Sequence, residues 1–144
     1  MTQLVPYLNF MGNTEEAFNF YKSVLGGEFV TFSRFSDTPG AADNLPENEK
    51  NKIMHIALKV NDSITLMATD LLESMGHKLN IGNQISLSLN AESKEEADRI
   101  FNGLSVDAKE IEMPIQDTFW GAYFGIWIDK FGVQWMINYD YPKA

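Results

Sequence analysis

Two stretches of the chain repeat one pattern of apolar and polar positions, eighty residues apart. Asn13-Thr14-Glu15-Glu16-Ala17 opens a stripe of Ala17, Phe20, Tyr21, Val24 and Leu25. Ser93-Lys94-Glu95-Glu96-Ala97 opens a second, of Ala97, Ile100, Phe101 and Leu104. Apolar residues at i, i+3, i+4 and i+7 form one face of an amphipathic helix. In each stretch a capping residue, Asn13 or Ser93, stands three before a glutamate. That spacing predicts a capping box, in which two side chains satisfy backbone N–H groups left open at the helix start. Gly26-Gly27 and Gly103 mark the predicted helix ends. A module of this length used twice predicts one fold built from two copies.

A short extended run precedes each helix. Leu4–Phe10 comes before the first, with Pro6 placing it at a strand start or an edge. The alternating Ile85–Leu89 comes before the second. Further strands follow each helix: Glu28–Phe35, Ile53–Val60 and Ser63–Thr69, then Ala122–Ile128 and Val133–Asn138. Asn61-Asp62 predicts a tight hairpin between two of them. Ser36–Lys52 carries two prolines, a glycine and six charged residues and has no counterpart in the second half. It reads as an inserted surface loop (36–52), free to move like a lid. The organisation expected is a single domain, 1–144, of two modules at about 1–70 and 83–144, joined by a linker over 71–82.

Alternation also sorts the strand faces. Met54, Ile56, Leu58 and Val60 make an apolar row, matched in the second half to Ala122, Phe124, Ile126 and Ile128. These rows are expected under the helices. The opposite faces then carry His55, Ala57 and Lys59, and Tyr123, Gly125 and Trp127. Such a mixture of small, aromatic and polar residues suits a pocket wall.

Composition narrows the function classes. Apolar residues make up 44% of 144 residues, enough for a sizeable core. A net charge of −9 argues against binding nucleic acid through its phosphates. With no cysteine, disulfides, thiolate metal sites and cysteine nucleophiles are excluded. No apolar run approaches the roughly 20 residues that span a bilayer. No secretory leader is visible either, so a cytoplasmic protein with no membrane association is expected.

Several residues can carry chemistry. His55 lies mid-strand on the expected pocket face, as a general base, a ligand donor or a structural histidine. Trp127 and Tyr123 on that face suit stacking against an aromatic ligand, and Trp120 and Trp135 stand close in sequence. Methionines 54, 67, 75, 113 and 136 offer a pliable lining or core filling. Asp70 ends a strand, to bind a polar group or to cap a turn. His77 falls in the linker. The four helix-start glutamates are explained by capping and the helix dipole. No nucleophile elbow or phosphate loop is present.

Several motifs together resemble the PhnB-like branch of the vicinal oxygen chelate superfamily. They are Pro6-Tyr7-Leu8, Glu16-Ala17, Phe20-Tyr21, Leu25-Gly26, Met54-His55, Met67 with Asp70, Trp120-Gly121, Asp129, Phe131-Gly132 and Trp135. The superfamily includes glyoxalase I, bleomycin-resistance proteins and extradiol dioxygenases. The resemblance implies an α+β fold of two tandem βαβββ modules, forming cupped mixed sheets with helices on the outer side. It implies a homodimer and a cavity for a small molecule. Metal-dependent members take four His, Glu or Gln ligands from the first and last strands of the modules. Here those windows offer Gln84 and Gln134, with Met67 and Met136 near the ligand places, and thioethers are poor ligands for a hard or borderline divalent ion. The expected function is therefore metal-free and cofactor-free binding of a small, partly apolar or aromatic molecule. The expected lining is Tyr7, His55, Met67, Asp70, Trp120, Tyr123, Trp127 and Met136. The alternative is a lyase, isomerase or dioxygenase using a divalent ion, through His55 and Gln84.

Overall fold

The computed structural model describes residues 2–143. The chain divides into two compact units, Met1–Asn80 and Ile81–Ala144. Each contains one four-stranded mixed sheet, and the architecture is the expected α+β repeat of two βαβββ modules.

In the first unit, β1 (Tyr7–Phe10) leads into α1 (Thr14–Leu25), then β2 (Glu28–Arg34), β3 (Ile53–Lys59) and β4 (Thr65–Asp70). The sheet order is β1-β4-β3-β2, with β1 parallel to β4 and the other pairs antiparallel. Pro6, which has no N–H to donate, stands just outside the edge strand β1. Phe10, Phe18 and Tyr21 are fully or nearly fully buried, and Phe18 meets the other two edge-on. These contacts fix the α1 side of the sheet. Register then places Leu8 and Phe10, Ala68 and Asp70, and Ile56 and Leu58 on that side. The apolar row expected under the helix in this half is the one that lies there.

The predicted capping box at Asn13 does not form, since its side chain makes no cap hydrogen bond. Its place is taken from a distance. The buried Asp70 Oδ1 accepts from Gly12 N at 2.8 Å, Thr14 N at 3.1 Å and Thr14 Oγ1 at 2.7 Å. Its Oδ2 accepts from Ile53 N at 2.9 Å. One carboxylate thus caps α1, ends β4 and anchors the start of β3. Just past α1, Gly27 has φ +90°, and a Cβ there would lie 2.2 Å from the Lys59 carbonyl oxygen. No residue with a side chain fits that approach without moving backbone. Between β3 and β4, Asn61 Oδ1 accepts from Ser63 N at 2.8 Å and Ile64 N at 2.9 Å. Val60 N donates to Ile64 O at 2.9 Å, so the turn takes three residues, 61–63, where Asn61-Asp62 alone was expected, and it is held as an Asx turn.

Residues 36–52 are tied down at several points. A 3₁₀ turn (Phe35–Asp37) and a short helix, α2 (Glu47–Lys50), give the segment local structure. Phe35 N donates to Lys52 O, and Arg34 Nη1 to Asn51 O, closing its neck. The buried Glu49 accepts from both the backbone N–H and the hydroxyl of Ser74, in a 3₁₀ turn (Glu73–Met75) of the linker. Loop composition misses this clip because it depends on one glutamate meeting a segment 25 residues away.

The second unit repeats the order: β5 (Leu87–Asn90), α3 (Lys94–Leu104), β6 (Glu110–Asp117), β7 (Ala122–Ile128) and β8 (Gln134–Asp140). Its sheet runs β5-β8-β7-β6, with β5 parallel to β8. Ser93 caps α3 as predicted, its Oγ accepting from Glu96 N at 3.1 Å. Glu96 Oε1 reaches back to Glu92 N, one residue earlier than in a capping box. The helix runs through Gly103, its predicted end, to Leu104. Asp107 then takes φ 54°. Strand β6 is not among the expected strands, although Ile111, Met113 and Ile115 alternate with polar residues and Pro114. It contains Pro114, lies at the sheet edge and has two register shifts against β7, which is where a proline is tolerated in a sheet.

Glu49 is held below its ordinary carboxylate value of 4.5, first by the Ser74 hydroxyl, against the opposing effect of burial. Its folded value is depressed, so its stabilising contribution is complete above about pH 4.5 and is lost as pH falls through the folded value. Glu49→Gln is expected to lower the urea midpoint at pH 7. The gap between variant and parent should close in acid. A gap that stays constant from pH 7 to pH 3 would refute the clip.

Candidate functional site

On the face of the first sheet opposite α1, register places Tyr7, Met67 and Ala57 in one row across β1, β4 and β3. His55 lies two positions along β3 from Ala57, and so on the same face. The Tyr7 hydroxyl lies 3.0 Å from His55 Nδ1, and the two rings stack with centroids 5.6 Å apart and planes 17° from parallel. Tyr7 is 47% exposed and His55 half-buried, so the pair is open to solvent. Burial raises the Tyr7 pKa, and a hydrogen bond with Thr69 works the other way. The phenol therefore stays protonated at neutral pH. When it donates to Nδ1, the imidazole carries its own proton on Nε2 and presents a second donor. Thr69, two positions from Met67 on this face, donates Oγ1 to Met54 O at 2.7 Å. Alternation from Met67 would have placed Thr69 here, but a threonine in a strand gave no chemical reason to choose it.

Asp70 is on the other side of the sheet. Its four hydrogen bonds go to the backbone and side chain of its own unit, so it is the turn cap of the two readings. In the linker, His77 Nδ1 accepts from Leu72 N at 2.9 Å.

In the second unit the expected faces are reversed. Trp127 is fully buried on the α3 side. Its Nε1 donates to Leu104 O at 3.1 Å, and its ring meets Phe101 edge-on at 5.2 Å. Tyr123 also faces α3: its hydroxyl donates to Asp98 at 2.5 Å, and the Lys94 ammonium lies 4.8 Å from its ring centre. The Asp98 carboxylate pushes the Tyr123 pKa up to about 12. A Cβ on Gly125 would lie 3.2 Å from Phe101. Tyr123, Gly125 and Trp127 are therefore the helix-packed row, and Phe124, Ile126 and Ile128 face away from α3. The cause is a one-residue slip in matching the halves. Leu58 pairs with Leu66, and Trp127 with Trp135, so Leu58 corresponds to Trp127 and not to Ile126. Because side chains alternate with period two, a slip of one exchanges the faces.

Met136, half-buried, pairs with Ile126 and stands on the face away from α3. Trp120 is 55% exposed beside the 98% exposed Phe119, with its ring edge-on to both Phe119 and Phe124. Sequence reading named Trp120 but missed Phe124, which the slipped register had sent under the helix. Trp135 is core: it stacks on Trp127 at 6.4 Å and donates Nε1 to the buried Asp129.

Neither unit offers the donors of the family metal. Among the described residues no three His, Asp or Glu side chains come together. Gln134 Oε1 is buried without a partner while its Nε2 faces Glu112 at 3.4 Å; one amide oxygen is not a ligand set. The described residues do not fit the divalent ion.

Two βαβββ units with these strand orders define the vicinal oxygen chelate fold in its PhnB-like form. The sequence profile of a family described as 3-demethylubiquinone-9 3-methyltransferase matches residues 2–138, and the chain belongs to that family. It is 36% identical over 142 residues to Protein YjdN of Escherichia coli strain K12, covering 94% of this chain and 93% of that one. Protein PA1353 from Pseudomonas aeruginosa is 41% identical, with a TM-score of 0.84 over 97% of this chain and 98% of its own. A putative 3-demethylubiquinone-9 3-methyltransferase, PhnB protein, from Bacillus cereus is 27% identical, with a TM-score of 0.77 over 96% and 99%. The methyltransferase description belongs to the family. In this chain the turn after β1, Met11-Gly12-Asn13, holds one glycine, not the glycine-rich loop of a nucleotide site.

Trp127→Ala is expected to destabilise the protein by roughly 3–5 kcal/mol, the range for emptying a buried aromatic site. Urea unfolding measures it. A loss below about 1 kcal/mol would contradict the buried placement.

Proposed function

We propose that this protein binds a small, partly apolar or aromatic molecule on the open face of its first sheet, without a family-type metal. The observation that carries the reading is the stacked, hydrogen-bonded Tyr7–His55 pair beside Met67. A half-exposed phenol, an imidazole and a thioether combine apolar surface with two directed polar groups, the usual make-up of a small-molecule site. Met67 adds a flexible, polarizable contact suited to aromatic rings. In the second unit, Met136 with Trp120 and Phe124 offers a similar surface away from α3. The working form is a cytoplasmic homodimer, in keeping with the commonest closed symmetry.

The test is amide-resolved NMR of the full chain titrated with phenol and with indole. Saturable shifts are expected at Tyr7, His55 and Met67. Tyr7→Phe should weaken binding about fivefold, as for one hydrogen bond of roughly 1 kcal/mol. If neither probe shifts these amides, the reading fails. Metal analysis of protein purified without chelator separates the enzyme alternative. About one Ni, Zn, Mn or Fe per chain, lost with His55→Ala, would favour a divalent-ion enzyme.

For assembly, sedimentation should show a particle of two 16.3 kDa chains at micromolar concentration. A single-chain particle would overturn the dimer.

A further inference from the structure

A second concavity lies within the first unit and shares no residue with the Tyr7–His55 face. It is an open concavity of about 660 Å³, lined by Met11, Lys52, Glu73, Gly76, His77, Lys78, Leu79 and Asn80. Its walls come from the turn after β1, the residue before β3 and the linker. Three features give it a chemical character. First, it holds two lysines and one glutamate in a chain whose net charge is −9. Among the described residues neither ammonium is within 4.0 Å of a carboxylate. Lys52 does act through charge on Glu49, whose two oxygens accept from the Ser74 N–H and hydroxyl.

Second, the linker here is held in shape. Leu72 N–H donates to His77 Nδ1, and Leu72 O accepts from the N–H groups of Met75 and His77. Gly76 turns the chain with φ +79° and puts no side chain into the space. With Nδ1 used as an acceptor, a neutral His77 keeps its proton on Nε2, so it adds a donor and no acceptor. Third, Met11 and Leu79 supply apolar wall, and Lys52 Nζ lies against the bare Cα of Gly12, 3.7 Å from where a Cβ would stand.

We propose that this cavity is a binding site for a small organic carboxylate with an apolar body. Lys52 and Lys78 take the carboxylate, and Met11 and Leu79 take the body. A charge-assisted hydrogen bond is about twice as strong as a neutral one, so the two ammonium groups dominate selection. The apolar wall sets the preference for a carboxylate over a bare inorganic anion.

The test uses the full chain and three probes followed by amide-resolved NMR: benzoate, its neutral analogue benzamide, and inorganic phosphate. Benzoate should give saturable shifts at Met11, Lys52 and Gly76–Asn80, and bind at least tenfold more tightly than benzamide or phosphate. Lys78→Gln and Lys52→Gln should each weaken benzoate roughly tenfold. Lys50→Gln, which removes a lysine paired with Glu47 outside the cavity, should leave it unchanged. The proposal is overturned if benzamide matches benzoate, if phosphate matches benzoate, or if Lys50→Gln weakens binding as much as the cavity variants. It is also overturned if benzoate shifts only the amides of Tyr7, His55 and Met67. That last result would favour the Tyr7–His55 site, so the two readings fail separately.

Discussion

A carboxylate shut away from water sets the geometry of the first unit. Burying a charge is costly unless hydrogen bonds replace its hydration. Asp70 meets that condition with four donors, from Gly12, Thr14 and Ile53. The cost makes the arrangement specific, because pulling any of three chain segments away would leave a buried acceptor short of a donor. The turn after β1, the start of α1 and the start of β3 are therefore held to the end of β4. Tyr7 on β1 and His55 on β3 owe their mutual placement to the strand register that this carboxylate terminates. Asp129 does comparable work in the second unit, where it accepts from Phe131 N, Val133 N and Trp135 Nε1.

The two modules share a topology but have diverged in what fills them. Under α1 the paired strands β3 and β4 present an aliphatic layer of Ile56, Leu58, Leu66 and Ala68. Under α3 the corresponding layer is Trp127 stacked on Trp135, with Gly125 leaving room for Phe101. Two buried indoles need two acceptors, and they find them in Leu104 O and the Asp129 carboxylate. Part of the aromatic density of the last third, Trp127 with Trp135, thus builds a core, while Phe119 and Trp120 stay exposed and the first unit holds no tryptophan. There the sheet face away from the helix keeps a phenol, an imidazole and a thioether accessible.

Most helices and strands, the duplication and the fold class were legible because they depend on short-range periodicity, whereas β6 and the short α2 were missed. The stripes at 17–25 and 97–104 and the alternation in β3 and β7 are local facts. So was the helix side of the first sheet, since Ile56 and Leu58 are apolar while His55 and Lys59 are not. The second sheet defeated the same argument: in Ala122–Ile128 both faces are apolar or aromatic, and composition cannot tell a buried indole from a stacking platform. Only pairing with Trp135 and contact with Phe101 decide it.

What the sequence determined by itself was most of the elements, their doubled order and the side of β3 on which His55 stands. These follow from periods of 3.6 and 2.0 and from which residues stand at those periods. The tertiary structure alone decided which groups meet across long separations. Asp70 capping α1 from 56 residues away, Glu49 clipping the inserted segment to Ser74, and Tyr7 meeting His55 across 48 residues are all of this kind. Each depends on strand register and chain closure in three dimensions, and a one-residue change of register, invisible to any local pattern, is enough to move a side chain from solvent to core.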